Sequence, residues 1–121
     1  MRTTILLTVV LAVFAVAGFA QDDAAYSALM KSVPPTVAAI RGATDNATAD
    51  ATKLADTFDK VAAYWKGKDE AASKLAETAR DAAKAIAAGG DKAANLQKVQ
   101  GTCGGCHSQH REGTAPNFKI K

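Results

Sequence analysis

The sequence predicts an all-α protein, an antiparallel four-helix bundle. Three observations lead there. Apolar residues beyond residue 20 recur at helical spacing, and no sustained period-2 run marks a strand. Alanine, a strong helix former, is abundant, while β-branched residues are scattered. Glycine, proline and capping residues then cut this region into four segments of helical length joined by short turns, the pattern of an up-and-down bundle.

The first helix spans residues 22–41 and carries Tyr26, Met30, Val33, Val37 and Ile40 on one face. Pro34 and Pro35 cannot donate backbone hydrogen bonds, which predicts a kink, or two short helices with Ser32 capping the second. Residues 42–46 form a turn. Within it, Asn46-Ala47-Thr48 formally matches a glycosylation sequon, but a helix-capping turn explains it better. The second helix, residues 47–66, aligns Leu54, Phe58, Val61 and Trp65 in one stripe. The third, residues 69–88, aligns Leu75, Ala79, Ala82 and Ile86, and Gly89-Gly90 stops it. The fourth, residues 91–112, starts at the capping residue Asp91 and turns Leu96, Val99, Cys103, Cys106 or His107, and His110 inward. The tail from Gly113 has no periodicity, so residues 114–121 are expected to be a flexible segment.

The chain has 121 residues and begins with Arg2, an apolar run over residues 5–20 broken only by Thr8 and Gly18, and an abrupt switch to Gln21-Asp22-Asp23. This is the pattern of a secretory signal peptide over residues 1–20, with Gly18 and Ala20 as the small residues before cleavage. The run falls short of the ~20 residues a membrane span needs, so no stable membrane anchor is expected after cleavage. The region left, residues 21–113 and the tail, suffices for one small domain. Loss of Arg2 with the signal lowers the net charge of +3 by one, which leaves too little basic character for a nucleic-acid binder.

The chemistry concentrates in Cys103-Gly104-Gly105-Cys106-His107, which contains both cysteines of the chain. C-x-x-C-H is the attachment signature of a c-type haem. Two thiols one helical turn apart can add to the two vinyl groups of the haem, and the following histidine can ligate its iron. Export fits covalent haem attachment, which requires an exported, thiol-managed compartment. The thin, alanine-rich apolar face also leaves room for a large prosthetic group. A redox dithiol would sit in a βαβ context, absent from the pattern. A zinc site of Cys103, Cys106, His107 and His110 would crowd its ligands into two helical turns.

The position of the motif near the end of a helical chain resembles the class II c-type cytochromes, which include cytochrome c′ and its low-spin relatives. Their motif continues with two variable residues, an aromatic and an arginine. Here Arg111 matches, and His110 replaces the aromatic. In this family the first helix supplies the residue on the far side of the haem. Leu29-Met30-Lys31 looks like the low-spin form, with Met30 as the sixth iron ligand; in a register slipped by one, Leu29 faces the haem and iron is five-coordinate. Where the family commonly has a propionate-binding arginine, this chain has Tyr26. The candidate cofactor residues are therefore Cys103, Cys106, His107, Met30, Arg111 and Tyr26, with His107 and Met30 as iron ligands. Trp65 and Phe58 are candidates to pack against the porphyrin or to serve as bundle core.

The resemblance implies a non-enzymatic periplasmic electron carrier that exchanges electrons with redox partner proteins, and family members often pair as homodimers through the first two helices. Two alternatives stand beside this one. One is a five-coordinate haem protein that binds a diatomic gas such as nitric oxide or carbon monoxide. The other is a haem-free helical interaction module.

Overall fold

A computed structural model of the chain describes residues 23–113 and 119–120. The expected signal peptide lies outside the described residues. Four helices dominate: α1 (Asp23–Gly42), α2 (Thr48–Trp65), α3 (Glu70–Ala87) and α4 (Lys92–His110). End-to-end contacts fix their antiparallel order. Tyr26 near the start of α1 meets Trp65 at the end of α2, with the indole Nε1 donating to the Tyr26 hydroxyl at 3.1 Å. Asn46, just before α2, donates through Nδ2 to the carbonyls of Ile86 and Gly90 at the far end of α3, at 3.0 and 2.7 Å. Asp69, just before α3, meets His110 at the end of α4.

Each boundary has a local cause. The Asp69 carboxylate accepts from the amides of Ala71 and Ala72 and caps α3. Asp91 does the same for α4 through the amide of Ala94. No side chain caps α2; its N-cap, Ala47, is in the left-handed region at φ 46°, held by its amide donating to Asp45. Gly89, at φ 91°, ends α3 in a conformation that favours glycine. A Cβ on Gly90 would lie 2.8 Å from the Ala85 carbonyl oxygen, so only glycine fits where α3 turns into α4.

Two expectations need correction. Of the two alternatives for the first helix, division at Pro34-Pro35 with Ser32 capping a second helix does not occur; α1 runs continuously through both prolines. Without prolyl N–H groups, the carbonyls of Met30 and Lys31 lose their i+4 donors. Hydroxyls reinforce the flanking turns, with Ser32 donating to the Leu29 carbonyl at 2.6 Å and Thr36 to the Ser32 carbonyl at 2.7 Å. Leu75, assigned to the inward stripe of α3, is only half-buried, and Ala72 and Ala76 take the inward positions. Of the tail expected to be flexible, only Lys119 and Ile120 are among the described residues. Residues Arg111–Glu112 (β1) and Lys119–Ile120 (β2) pair antiparallel, Arg111 opposite Ile120 and Glu112 opposite Lys119.

The core is uneven along the bundle. Ile40, Leu54, Ile86 and Val99 are fully buried. The inward face of α3 is mostly alanine: Ala72, Ala76, Ala79, Ala82 and Ala83. Small side chains let α2 and α3 pack closely, and these two share the most extensive contact. Among neighbouring helices around the bundle, contact between α1 and α4 is the sparsest, so the bundle opens along that seam. No described helix is long and apolar enough to cross a membrane.

Candidate functional site

The open seam is a cleft of about 310 Å³, lined on one side by α1 and on the other by the last turns of α4 and the β1–β2 pair. Its volume lies at the lower end of the range for small-molecule sites, about 300–1,000 Å³. Every candidate cofactor residue lines it: Tyr26 and Met30 from α1, Cys103, Cys106 and His107 from α4, and Arg111 from β1. Leu29 does not line it. A smaller adjoining space of about 20 Å³ lies deeper, between Met30, Phe58, Leu75 and the Cys103–His107 turn. Phe58 thus backs the site directly. Trp65 stands one layer behind, stacked on His110 with ring centroids 4.0 Å apart and edge-on to Tyr26 at 5.7 Å.

The motif is presented by helix geometry. Val99 is buried on the inward face of α4, and Cys103, Cys106 and His107 continue that face where the bundle opens. Both thiols are free and half-buried. Cys103 Sγ donates to the Val99 carbonyl at 3.5 Å. Cys106 receives a hydrogen bond from the Tyr26 hydroxyl, which in turn accepts from Trp65. Burial is the largest influence on either thiol and pushes both upward from the ordinary value, against smaller lowering by Thr102 and Tyr26 respectively. A dithiol redox catalyst needs the opposite, a thiolate favoured by its surroundings.

His107 is pushed below its ordinary value, first by burial and then by the Arg111 guanidinium. Arg111 Nη1 lies 3.2 Å from His107 Nδ1. A guanidinium can only donate, so Nδ1 accepts here and the neutral ring carries its proton on Nε2. Tyr26 is pushed up to about 12, chiefly by burial. Tyr64 is also pushed up to about 12, by burial and by its hydroxyl donating to Asp23 at 2.5 Å.

Two features of the site escape sequence reading. The first is the pairing of His110 with Asp69, which no spacing rule connects. The second is the arrival of Lys119 and Ile120 at the cleft, which depends on a strand too short to announce itself. Among the described residues that line the opening, Lys31, Arg111 and Lys119 carry positive charge and none is a carboxylate. Among the described residues, no three His, Cys, Asp or Glu side chains converge as ligands for a bare metal ion.

This donor set suits a haem. Two protonated, accessible thiols and an imidazole share one wall, a thioether lies on the other, the interior is apolar, and cations ring the mouth where an anionic edge would emerge. Compared with known proteins, the chain matches no family model, no curated protein and no solved structure.

Proposed function

We propose that this chain is an exported mono-haem c-type cytochrome that carries electrons between partner proteins. The observation that carries the reading is the meeting of Cys103, Cys106, His107 and Met30 on one cleft, although Met30 is some seventy residues away in sequence. Chance placement of a C-x-x-C-H run gives no reason for the only methionine beyond the initiator to face it. Cys103 and Cys106 would hold the group as thioethers, and His107 on α4 and Met30 on α1 would ligate its iron. When bound, the haem supplies a one-electron couple between ferric and ferrous iron.

The chain's own residues set the conditions for that couple. Phe58, Val61, Ala72 and Ala76 keep the deep end of the site apolar and exclude water. Exclusion of water disfavours the extra positive charge of the ferric state, and a thioether ligand favours ferrous iron, so both raise the potential. Arg111, four residues beyond His107, adds a cation near the site and acts in the same direction. In the ring form that offers Nε2 to iron, the proton sits on Nδ1, so the guanidinium must leave its present contact. No base or nucleophile beyond the iron-binding set is needed for an electron carrier, and the reading assigns none.

Absorption spectra of the purified ferric and ferrous protein, with and without carbon monoxide, test the assignment. The carrier reading expects a six-coordinate, low-spin spectrum that is lost in Met30→Ala. A high-spin ferrous form that binds carbon monoxide readily in the unsubstituted protein would overturn the Met30 assignment and favour a gas-binding role.

A further inference from the structure

The end of the chain contributes to the cleft in a way the haem motif does not require. Strand β2 brings Lys119 and Ile120 into the lining, more than ten residues past His107. Ile120 is half-buried and packs against the hydrophobic core, which anchors the strand there. Lys119 and Lys31 are exposed at the same opening, from β2 and α1 respectively. The ion pairs among the described residues join Arg80 to Asp59 and Asp81, and His110 to Asp69. Neither lysine takes part, and Glu112, opposite Lys119 in the strand pair, forms no ion pair with it. An apolar cleft whose described charged lining is cationic selects an amphiphilic ligand with an anionic end. Lys31 and Lys119 reach that mouth from two different elements and are placed to meet that end.

We propose that the C-terminal strand completes the ligand site, Ile120 as an apolar wall and Lys119 with Lys31 as the pair that receives the ligand's carboxylates. The proposal rests on the haem reading, in which those carboxylates are the two propionates. It assigns the charge-matching role to residues outside the C-x-x-C-H run, at a place where the first helix offers Tyr26 in lieu of an arginine.

The test is the reduction potential of the holoprotein and of Lys31→Gln, Lys119→Gln, the double variant and Ile120→Ser. Lys84→Gln serves as the control. Lys84 lies fifteen residues beyond Asp69 along α3, roughly 22 Å from the cleft end of the bundle, more than two Debye lengths at physiological salt. Loss of a nearby cation favours the ferric state. Each cleft lysine variant is expected to shift the redox equilibrium about fivefold toward ferric, roughly 40 mV at 59 mV per tenfold for one electron. The double variant shifts it further, and high salt shrinks both effects. Ile120→Ser admits water and lowers the potential as well, but without that salt dependence.

Potentials for Lys31→Gln and Lys119→Gln equal to that of Lys84→Gln, in protein whose mass shows attached haem, would overturn this proposal and leave the haem reading standing. Absence of haem from the unsubstituted protein would overturn both.

Discussion

Asp69 and His110 tie the start of α3 to the end of α4. His110 Nε2 lies 2.7 Å from Asp69 Oδ2, while Asp69 Oδ1 accepts from the amides of Ala71 and Ala72 at 3.0 and 3.2 Å. One carboxylate thus caps one helix and latches the last residue of another, directly behind the motif. Trp65 stacks on the latched ring and holds Tyr26 through its Nε1. The cleft wall is therefore supported by contacts from α2 and α3 as well as from its own helix.

This latch has a pH signature. The hydrogen bond from His110, followed by the cap amides, holds the Asp69 carboxyl below its ordinary value of 3.8. A carboxyl lowered by folding contributes stability that is present above its unfolded value and lost as pH falls through its folded value. Asp69→Asn keeps a cap acceptor but cannot ionise, so it is less stable than the unsubstituted protein near neutrality, and the gap closes on acidification below about pH 4. Asp69→Ala loses the cap as well and melts lowest at neutral pH. Thermal unfolding followed by circular dichroism at several pH values checks the order. A gap between the unsubstituted protein and Asp69→Asn that stays constant down to about pH 2.5 would remove the latch from the account.

The two glycines of the motif have different surroundings. A Cβ on Gly104 would meet nothing within 4 Å, whereas one on Gly105 would meet Leu75 Cδ1 at 3.1 Å. Gly104→Ala is expected to stabilise the apoprotein by about 0.5–1 kcal/mol through helix propensity. Gly105→Ala gains the same propensity but must displace Leu75 toward the small space it borders, so its net effect is much smaller or unfavourable. Denaturant unfolding of the two variants makes the comparison, and equal stabilisation by both would contradict the packing of α4 on Leu75.

Asn46 closes the opposite end of the bundle. Its amide donates to the Ile86 carbonyl, which also accepts from the Gly89 amide, and to the Gly90 carbonyl in the turn that follows α3. Asn46→Ala is expected to cost about 1–2 kcal/mol, since the half-buried Gly90 carbonyl loses its side-chain donor and the link to Ile86 is lost, while Thr48→Ala, which also removes the formal sequon, costs much less. Equal losses from the two substitutions in urea unfolding would argue against the bridging role.

Much of this protein is legible in its sequence, for identifiable reasons. The stripe Leu54, Phe58, Val61 and Trp65 is buried as its spacing requires. The four helices fall within a few residues of their expected bounds, because Asp69, Asp91, Gly89 and Gly90 are unambiguous local signals. The candidate residues Tyr26, Met30, Cys103, Cys106, His107 and Arg111 share one cleft. Legibility ends where tertiary context decides. The unbroken α1 depends on packing that holds a helix across two prolines and on hydroxyls that serve the flanking carbonyls. Leu75 is half-buried between the buried Ala72 and Ala76 and borders the small space beside the Cys103–His107 turn, a position its stripe does not specify. The partnership of Asp69 with His110 and the return of Lys119 and Ile120 to the cleft join residues that no local pattern links.

The central claim is that Cys103 and Cys106 hold a haem covalently. Its most direct measurement is the intact mass of the full chain, produced in a host that carries c-type haem-attachment machinery and analysed after denaturation. The account predicts a gain equal to one haem, absent when Cys103 and Cys106 are both replaced by alanine. A full-length protein that leaves such a host with no added mass and two titratable thiols would contradict it.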